Sequence, residues 1–177
     1  MKKLIALVSV FLLLFSLMGM AACSGGKDET PNAQYLGGKE SFSLTADKQT
    51  AAPGETVTVT FHAENCKNVA CFDVLLITPD NATLTGCKEK ESGDFITSAL
   101  ESGEDVVFSA IIATTGNIGS MDMMTATFTV AEDAVAGDTV TFKAEFSSYL
   151  VGTDESGDET ADATSLVAVV PVTVTVS

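Results

Sequence analysis

Thr56-Val57-Thr58-Val59-Thr60-Phe61 alternates polar and apolar residues without a break. Successive side chains of a strand project to opposite faces, so this hexapeptide has one face for a core and one for water. Its β-branched residues suit a pleated, half-buried surface. A Pro53-Gly54 turn precedes it, and Ser41–Ala46 can supply the strand before that turn. Toward the C-terminus the next run is 71–78, followed by a Pro79-Asp80-Asn81 turn and a short strand over 83–87. Runs at 105–113, 121–130, 139–146 and 166–176 complete the set. Residues 131–136 are expected to make a brief helical turn ahead of Gly137, and no segment supports a long amphipathic helix. Seven to nine short strands with turn signals between them predict an all-β, antiparallel β-sandwich. Phe42, Phe61, Phe72, Phe95, Phe108, Phe128, Phe142 and Phe146 supply its expected core. Each contributes roughly 1.5–3 kcal/mol on burial, before entropy.

The chain has 177 residues, room for one ordinary domain once a leader is removed. Its net charge is −15, with 24 acids against 9 basic residues, all lysine. Nucleic-acid binders cluster Lys and Arg on phosphates, so nucleic acid is excluded as a partner. Catalysis is poorly supplied: His62 is the lone imidazole, and Arg and Trp are absent. Glu89 and Glu91 could be paired carboxylates for glycoside hydrolysis, but nothing in the sequence marks a cleft around them. A binding module is the better expectation than an enzyme, with no metal centre and no cofactor.

The N-terminus reads as an export signal. Met1-Lys2-Lys3 is basic, 4–18 is apolar except for Ser9 and Ser16, and Gly19-Met20-Ala21-Ala22 is small-residue rich. Met20-Ala21-Ala22-Cys23 resembles the lipobox of bacterial lipoproteins. That resemblance implies cleavage after residue 22 and acylation of Cys23, which would hold the protein on the extracellular side of the cell membrane. The alternative is an ordinary signal peptide with a cysteine near its cleavage point. Residues 23–39, with Gly25-Gly26, Pro31-Asn32 and Gly37-Gly38, read as a flexible tether to a domain spanning 40–177.

Three stretches of that domain, in order, resemble the cohesin domain, the receptor half of the cohesin–dockerin pair. The first is Pro53-Gly54-Glu55-Thr56-Val57-Thr58-Val59. The second is Val69-Ala70-Cys71-Phe72-Asp73-Val74-Leu75-Leu76 with the turn at 79–81. The third runs from Gly119-Ser120-Met121 through Phe128-Thr129-Val130 to Ala134-Val135-Ala136-Gly137. Many cohesins have Tyr-Asp-Pro where this chain has Thr78-Pro79-Asp80, and the acidic stretch 152–162 has no part in the pattern. The resemblance implies a jelly-roll sandwich of about nine strands that binds a dockerin through one sheet face. It implies secreted polysaccharide-degrading enzymes as the bearers of that dockerin. Because dockerins resemble paired EF-hand loops, calcium would belong to the partner. The wider superfamily includes carbohydrate-binding modules, so a glycan-binding module, with polysaccharide as ligand, is the second reading.

The strand around Asp73 indicates where a partner would sit. Alternation puts Phe72, Val74 and Leu76 on one face and Asp73, Leu75 and Ile77 on the other. An apolar strip with one carboxylate suits a protein partner, the aliphatics giving area and the charge giving register. The resemblance puts Asp73 at a position where a carboxylate contacts dockerin. Neighbouring strands offer Ser109 and Ile111, and Met123 and Thr125, as further outward residues. The competing accounts are a strip covered by the chain's own tether or loop, or a strand buried on both sides. A glycan platform needs exposed rings, and the aromatics outside the Phe set are Tyr35, in the tether, and Tyr149.

Cys66, Cys71 and Cys87 are disulfide candidates, expected at one end of the sandwich as one pair plus a buried thiol. A zinc site with His62 matches no ligand spacing, and a surface or edge histidine is the better account. Asp154-Glu155-Ser156-Gly157-Asp158-Glu159 with Asp162 departs from the EF-hand pattern and reads as a solvated loop.

Overall fold

The computed structural model describes residues 40–66, 68–90, 95–102, 104–116, 119–152 and 160–177. The leader, Cys23, the tether with Tyr35, and Glu91 lie outside these residues, as do 153–159 of the acidic stretch.

Among the described residues, twelve strands form two sheets. They are β1 Ser41–Ala46, β2 Thr50–Ala51, β3 Thr56–Cys66, β4 Val69–Ile77, β5 Ala82–Glu89 and β6 Phe95–Ser102. The second half contributes β7 Asp105–Gly116, β8 Gly119–Val130, β9 Thr139–Gly152, β10 Thr160–Asp162, β11 Val169–Val170 and β12 Val172–Val176. One sheet has the order β11-β1-β3-β8-β5 and the other β2-β12-β9-β4-β7-β6, with β10 added to β9.

Period-two patterning builds both layers. In β3, Val57, Val59, Phe61 and Ala63 are buried between Thr56, Thr58, Thr60 and His62 on the outer side. Phe72, Val74 and Leu76 do the same from β4, and Val106, Phe108 and Ala110 from β7. The inner faces meet in an aromatic cluster, with Phe42 edge-on to Phe146 at 4.7 Å and to Tyr149 at 5.4 Å between ring centres. A second contact, Phe128 with Phe142 at 4.8 Å, lies farther along the sandwich. Among the described residues the core runs from Phe42 to Val176.

Besides the short added strands β2 and β10, the structure departs from the sequence reading in four places. β6 was not expected, because Phe95-Ile96-Thr97-Ser98-Ala99-Leu100 lacks strict alternation. Ladders carry β3, β7 and β9 past the expected ends, to Cys66, Gly116 and Gly152. The 131–136 segment makes turns rather than a helix, with Ala134 N–H donating to Ala131 O at 3.2 Å and Asp138 N–H to Val135 O at 2.9 Å. The run at 166–176 is divided: a 3₁₀ turn spans Thr164–Leu166, β11 joins one sheet and β12 the other. Pro171 lies at that division, where its missing N–H cannot serve a ladder. β1 and β2 divide likewise, and the terminal pairs β1–β11 and β2–β12 are parallel within an otherwise antiparallel sandwich.

Candidate partner-docking face

The outer side of β9-β4-β7-β6 brings together most of the residues singled out around Asp73. Residues directly opposite across a ladder share a face. The register therefore lays out rows across the strands. Leu150–Cys71–Ile111 forms one, Ser148–Asp73–Ser109–Ser98 the next, and Glu145–Leu75–Val107–Leu100 the third. Lys143 and Ile77 begin a fourth. Asp73, Leu75, Ile77 and Ser109 are half-buried, Ile111 is 38% exposed and Leu100 55%. Thus the strip is neither sealed under the domain's described residues nor buried on both sides.

The polar row is tightly organised. Ser109 Oγ donates to Asp73 Oδ1 at 2.5 Å, and Ser148 Oγ donates to Asp73 Oδ2 at 3.0 Å. Ser147 occupies a bulge in β9 opposite the Asp73/Val74 step and donates from Oγ to the Asp73 carbonyl at 3.4 Å. Hydroxyl donors on both neighbouring strands hold the carboxylate in one orientation.

Met123 and Thr125 do not belong to this face. Both lie on β8, in the opposite sheet. Met123 is also inward, 1% exposed, beside the equally buried Met124. The cause is a register shift between Phe61 and His62, where β3 meets Met124 and then Asp122. A bulge breaks the alternation on which the outward reading depended. Thr125 is outward and half-buried, but on the far layer.

The cysteine pairing is also corrected, because Cys66 and Cys87 carry free thiols. Cys66 pairs with Gly119 of β8 and Cys87 with Ala126, seven residues farther along. That is about 23 Å of strand, far beyond disulfide reach. Cys71 lies in the other sheet, in the Leu150–Cys71–Ile111 row. Burial pushes the Cys66 thiol up to about 12.

His62 sits on the outer side of the other sheet, its Nδ1 2.8 Å from Asp122 Oδ1, while Lys90 Nζ donates to Asp122 Oδ2 at 2.8 Å. Those bonds, the one from Lys90 foremost, hold the Asp122 carboxyl below its ordinary range. Among the described residues no group of three or more His, Cys, Asp or Glu could hold a metal ion. Asp162 accepts from Thr164 N–H and Oγ, at 2.8 and 2.6 Å. Glu89 pairs with Met124 across β5 and β8.

Every aromatic ring whose surroundings are described packs in the core, Tyr149 at 0% exposure included. Phe146 is the half-buried exception, and among the described residues no fully exposed ring offers a platform on which a sugar could stack.

Sequence reasoning missed Ser148, Leu150, Glu145, Val107 and Leu100. Extending the 139–146 run through Tyr149-Leu150-Val151 would have found the first two. Leu100 needed the strand between the Ser92-Gly93-Asp94 and Ser102-Gly103 breaks.

No family model matches the chain, and no curated protein does. Solved structures do. A type III cohesin module from the ScaE anchoring scaffoldin of Ruminococcus flavefaciens superposes with TM-score 0.61 at 14% identity, covering 78% of this chain and 88% of that one. This domain has the cohesin fold. The seventh ScaB type I cohesin of Pseudobacteroides cellulosolvens gives TM-score 0.57 at 14% identity, over 77% and 92% of the two chains. The third cohesin of ScaC from Acetivibrio cellulolyticus, solved in complex with the ScaB dockerin, gives 0.57 at 13% identity, over 77% and 98%. In the cohesin-like domain described here, the motifs that carried the resemblance occupy β3, β4 and β8. These are central strands of the two sheets.

Proposed function

We propose that this protein is a non-catalytic receptor whose cohesin-like domain captures dockerin-bearing polypeptides on the outer side of β9-β4-β7-β6. The observation that carries the reading is the ordered Ser148–Asp73–Ser109 row flanked by uncovered aliphatic rows. A rigid sheet gives a pre-organised surface, so little ordering entropy opposes docking. A partner helix pair covering these rows would bury on the order of 1,600 Å² in total. We further propose an acylated Cys23 that holds the receptor on the cell surface, and secreted polysaccharide-degrading enzymes as the captured chains. The lipobox-like Met20-Ala21-Ala22-Cys23 supports the first, and the resemblance to the receptor half of the cohesin–dockerin pair supports the second. Calcium belongs to the partner in this reading.

The test is a pull-down of secreted proteins on residues 40–177, run beside a glycan array. Retention of a dockerin-containing chain is expected, and sugar-specific retention alone would replace the reading with a glycan-binding module. Against a retained partner, Asp73→Ala should weaken binding by about 2–5 kcal/mol, as truncating one side of a buried charged hydrogen bond does. An unchanged dissociation constant would remove Asp73 from the interface.

A further inference from the structure

The far edge of β9 carries an apolar cleft, apart from the Asp73 rows. β12 pairs with β9 as far as Phe142, and β10 pairs with it from Leu150 onward. Among the described residues no strand pairs with 143–149 on that edge. The chain crosses there through Thr164–Leu166 and β11, leaving an open cleft of about 380 Å³. Phe146 lines it from β9, and Val167, Ala168 and Val169 line it from the crossing segment. Lys143 and Glu145 add charged groups to the lining. Phe146 is a half-buried ring, edge-on to Phe42 at 4.7 Å and to Tyr149 at 5.3 Å. Water held against such a lining is unfavourable, and an apolar side chain seated there would release it.

The described chain begins beside this cleft. Phe42–Val169 and Ser43–Val170 are parallel pairs, and the same register continued backward sets Ser41 beside Ala168 and Glu40 beside Val167. Phe42 itself packs on Phe146. The chain that precedes Glu40 therefore starts at the cleft wall. In residues 24–39 the only large apolar side chains are Tyr35 and Leu36, among Gly, Ser, Lys, Asp, Glu, Thr, Pro, Asn, Ala and Gln. They stand five and four residues before Glu40, a reach of at most about 13–18 Å. Gly37-Gly38 lie between, and glycine tolerates the reversal that brings the pair back to the cleft. Attachment through β1 makes the contact intramolecular, at the roughly millimolar effective concentration of a short linker.

We propose that Tyr35 and Leu36, from the segment just ahead of the described domain, seat in the cleft between β9 and residues 164–171. The occupant is this chain's own tether. The Tyr35 ring extends the aromatic cluster at Phe146, and its hydroxyl stays at the border with Lys143 and Glu145. Only residues 23–34 then separate the domain from Cys23. That connection leaves from the β9 flank, next to the row that begins at Glu145, so it sets the direction in which the docking face points. Seating of the pair is independent of what that face binds.

The chain has two tyrosines and no tryptophan. In the full chain carrying Tyr149→Phe, Tyr35 is the sole tyrosine, and its fluorescence reads its surroundings. Acrylamide is a neutral quencher, so the net charge of −15 does not repel it. Quenching of Tyr35 is expected to be several-fold weaker than that of N-acetyltyrosinamide. Ala168→Glu, at an exposed position of the cleft wall, should restore the N-acetyltyrosinamide value. Leu36→Asp, outside the described domain, should do the same and lower the thermal midpoint by about 3 °C. Thermal unfolding also confirms that each variant is folded. Free quenching of Tyr35 before either substitution would overturn the proposal and leave the cleft to a partner. Protection that survives both substitutions would overturn it by putting Tyr35 elsewhere. Protection that fades on dilution would overturn it in favour of the tether of a second copy.

Discussion

Tyr149 and Cys66 show how residue chemistry follows from position. Both are fully buried, and among the described residues the phenol oxygen of Tyr149 makes no conventional hydrogen bond, its polar neighbour being the Cys66 thiol. The Cys66 thiol donates to the Glu64 carbonyl at 3.5 Å. Burial disfavours the ionised form of both groups and raises their pKa, that of the thiol to about 12. A raised acid keeps its proton in the fold after the unfolded chain has released it. This contribution to stability is therefore complete below about pH 9 and is lost as pH rises from there toward 12. Chemical denaturation across that range should show a falling stability that is shallower in Cys66→Ala. Thiol alkylation at pH 8 should modify the half-buried Cys87 well before Cys66. Tyr149→Phe removes an unsatisfied hydroxyl without altering ring packing, so unfolding should be unchanged or more stable by about 1 kcal/mol. At this scale the sequence showed Asp73 and its aliphatic neighbours through alternation. It could not show the hydroxyls that hold Asp73, because Ser148 comes from a strand 75 positions away.

Strands and turns make different demands. Gly54 turns the chain into β3 with φ of +75°, and an added Cβ would come within 2.8 Å of the Glu132 carboxylate. That carboxylate ends a flexible side chain and can move, whereas the left-handed backbone cannot be relieved. Gly54→Ala should therefore cost about 1–2 kcal/mol in denaturant unfolding. Phe128, on β8, lies at 0% exposure against Phe142 of β9 in the other sheet. Phe128→Ala leaves a cavity between two layers that cannot readily collapse, and a loss of about 3–5 kcal/mol is expected by the same measurement. Strongly alternating runs such as 56–61 and 121–130 were legible as strands because each has one buried side. β6 was not, since it borders the sheet and its polarity follows no strict period. The bulge opposite Phe61 and His62 was equally invisible, and it turned Met123 into the core.

The described domain is tied together by its first and last strands. β11 completes the sheet of β1 and β3, while β12 lies between β2 and β9 in the other. Val174 and Val176 are core residues of that second layer. A chain stopped after Leu166 should accordingly lose cooperative thermal unfolding, as followed by circular dichroism, whereas removal of residues 1–39 should preserve it. Composition and alternation alone determined an acidic, all-β domain with a hydrophobic core, because burial and turn formation are local statements about each residue's side and neighbours. The family resemblance added the jelly roll. Tertiary structure decided which strands share a sheet, which thiols stay apart, and that Asp73 lies between two serines on an open aliphatic face. Those facts depend on pairings between distant segments, and a period-two pattern assigns a side to each residue without naming its partner across the ladder.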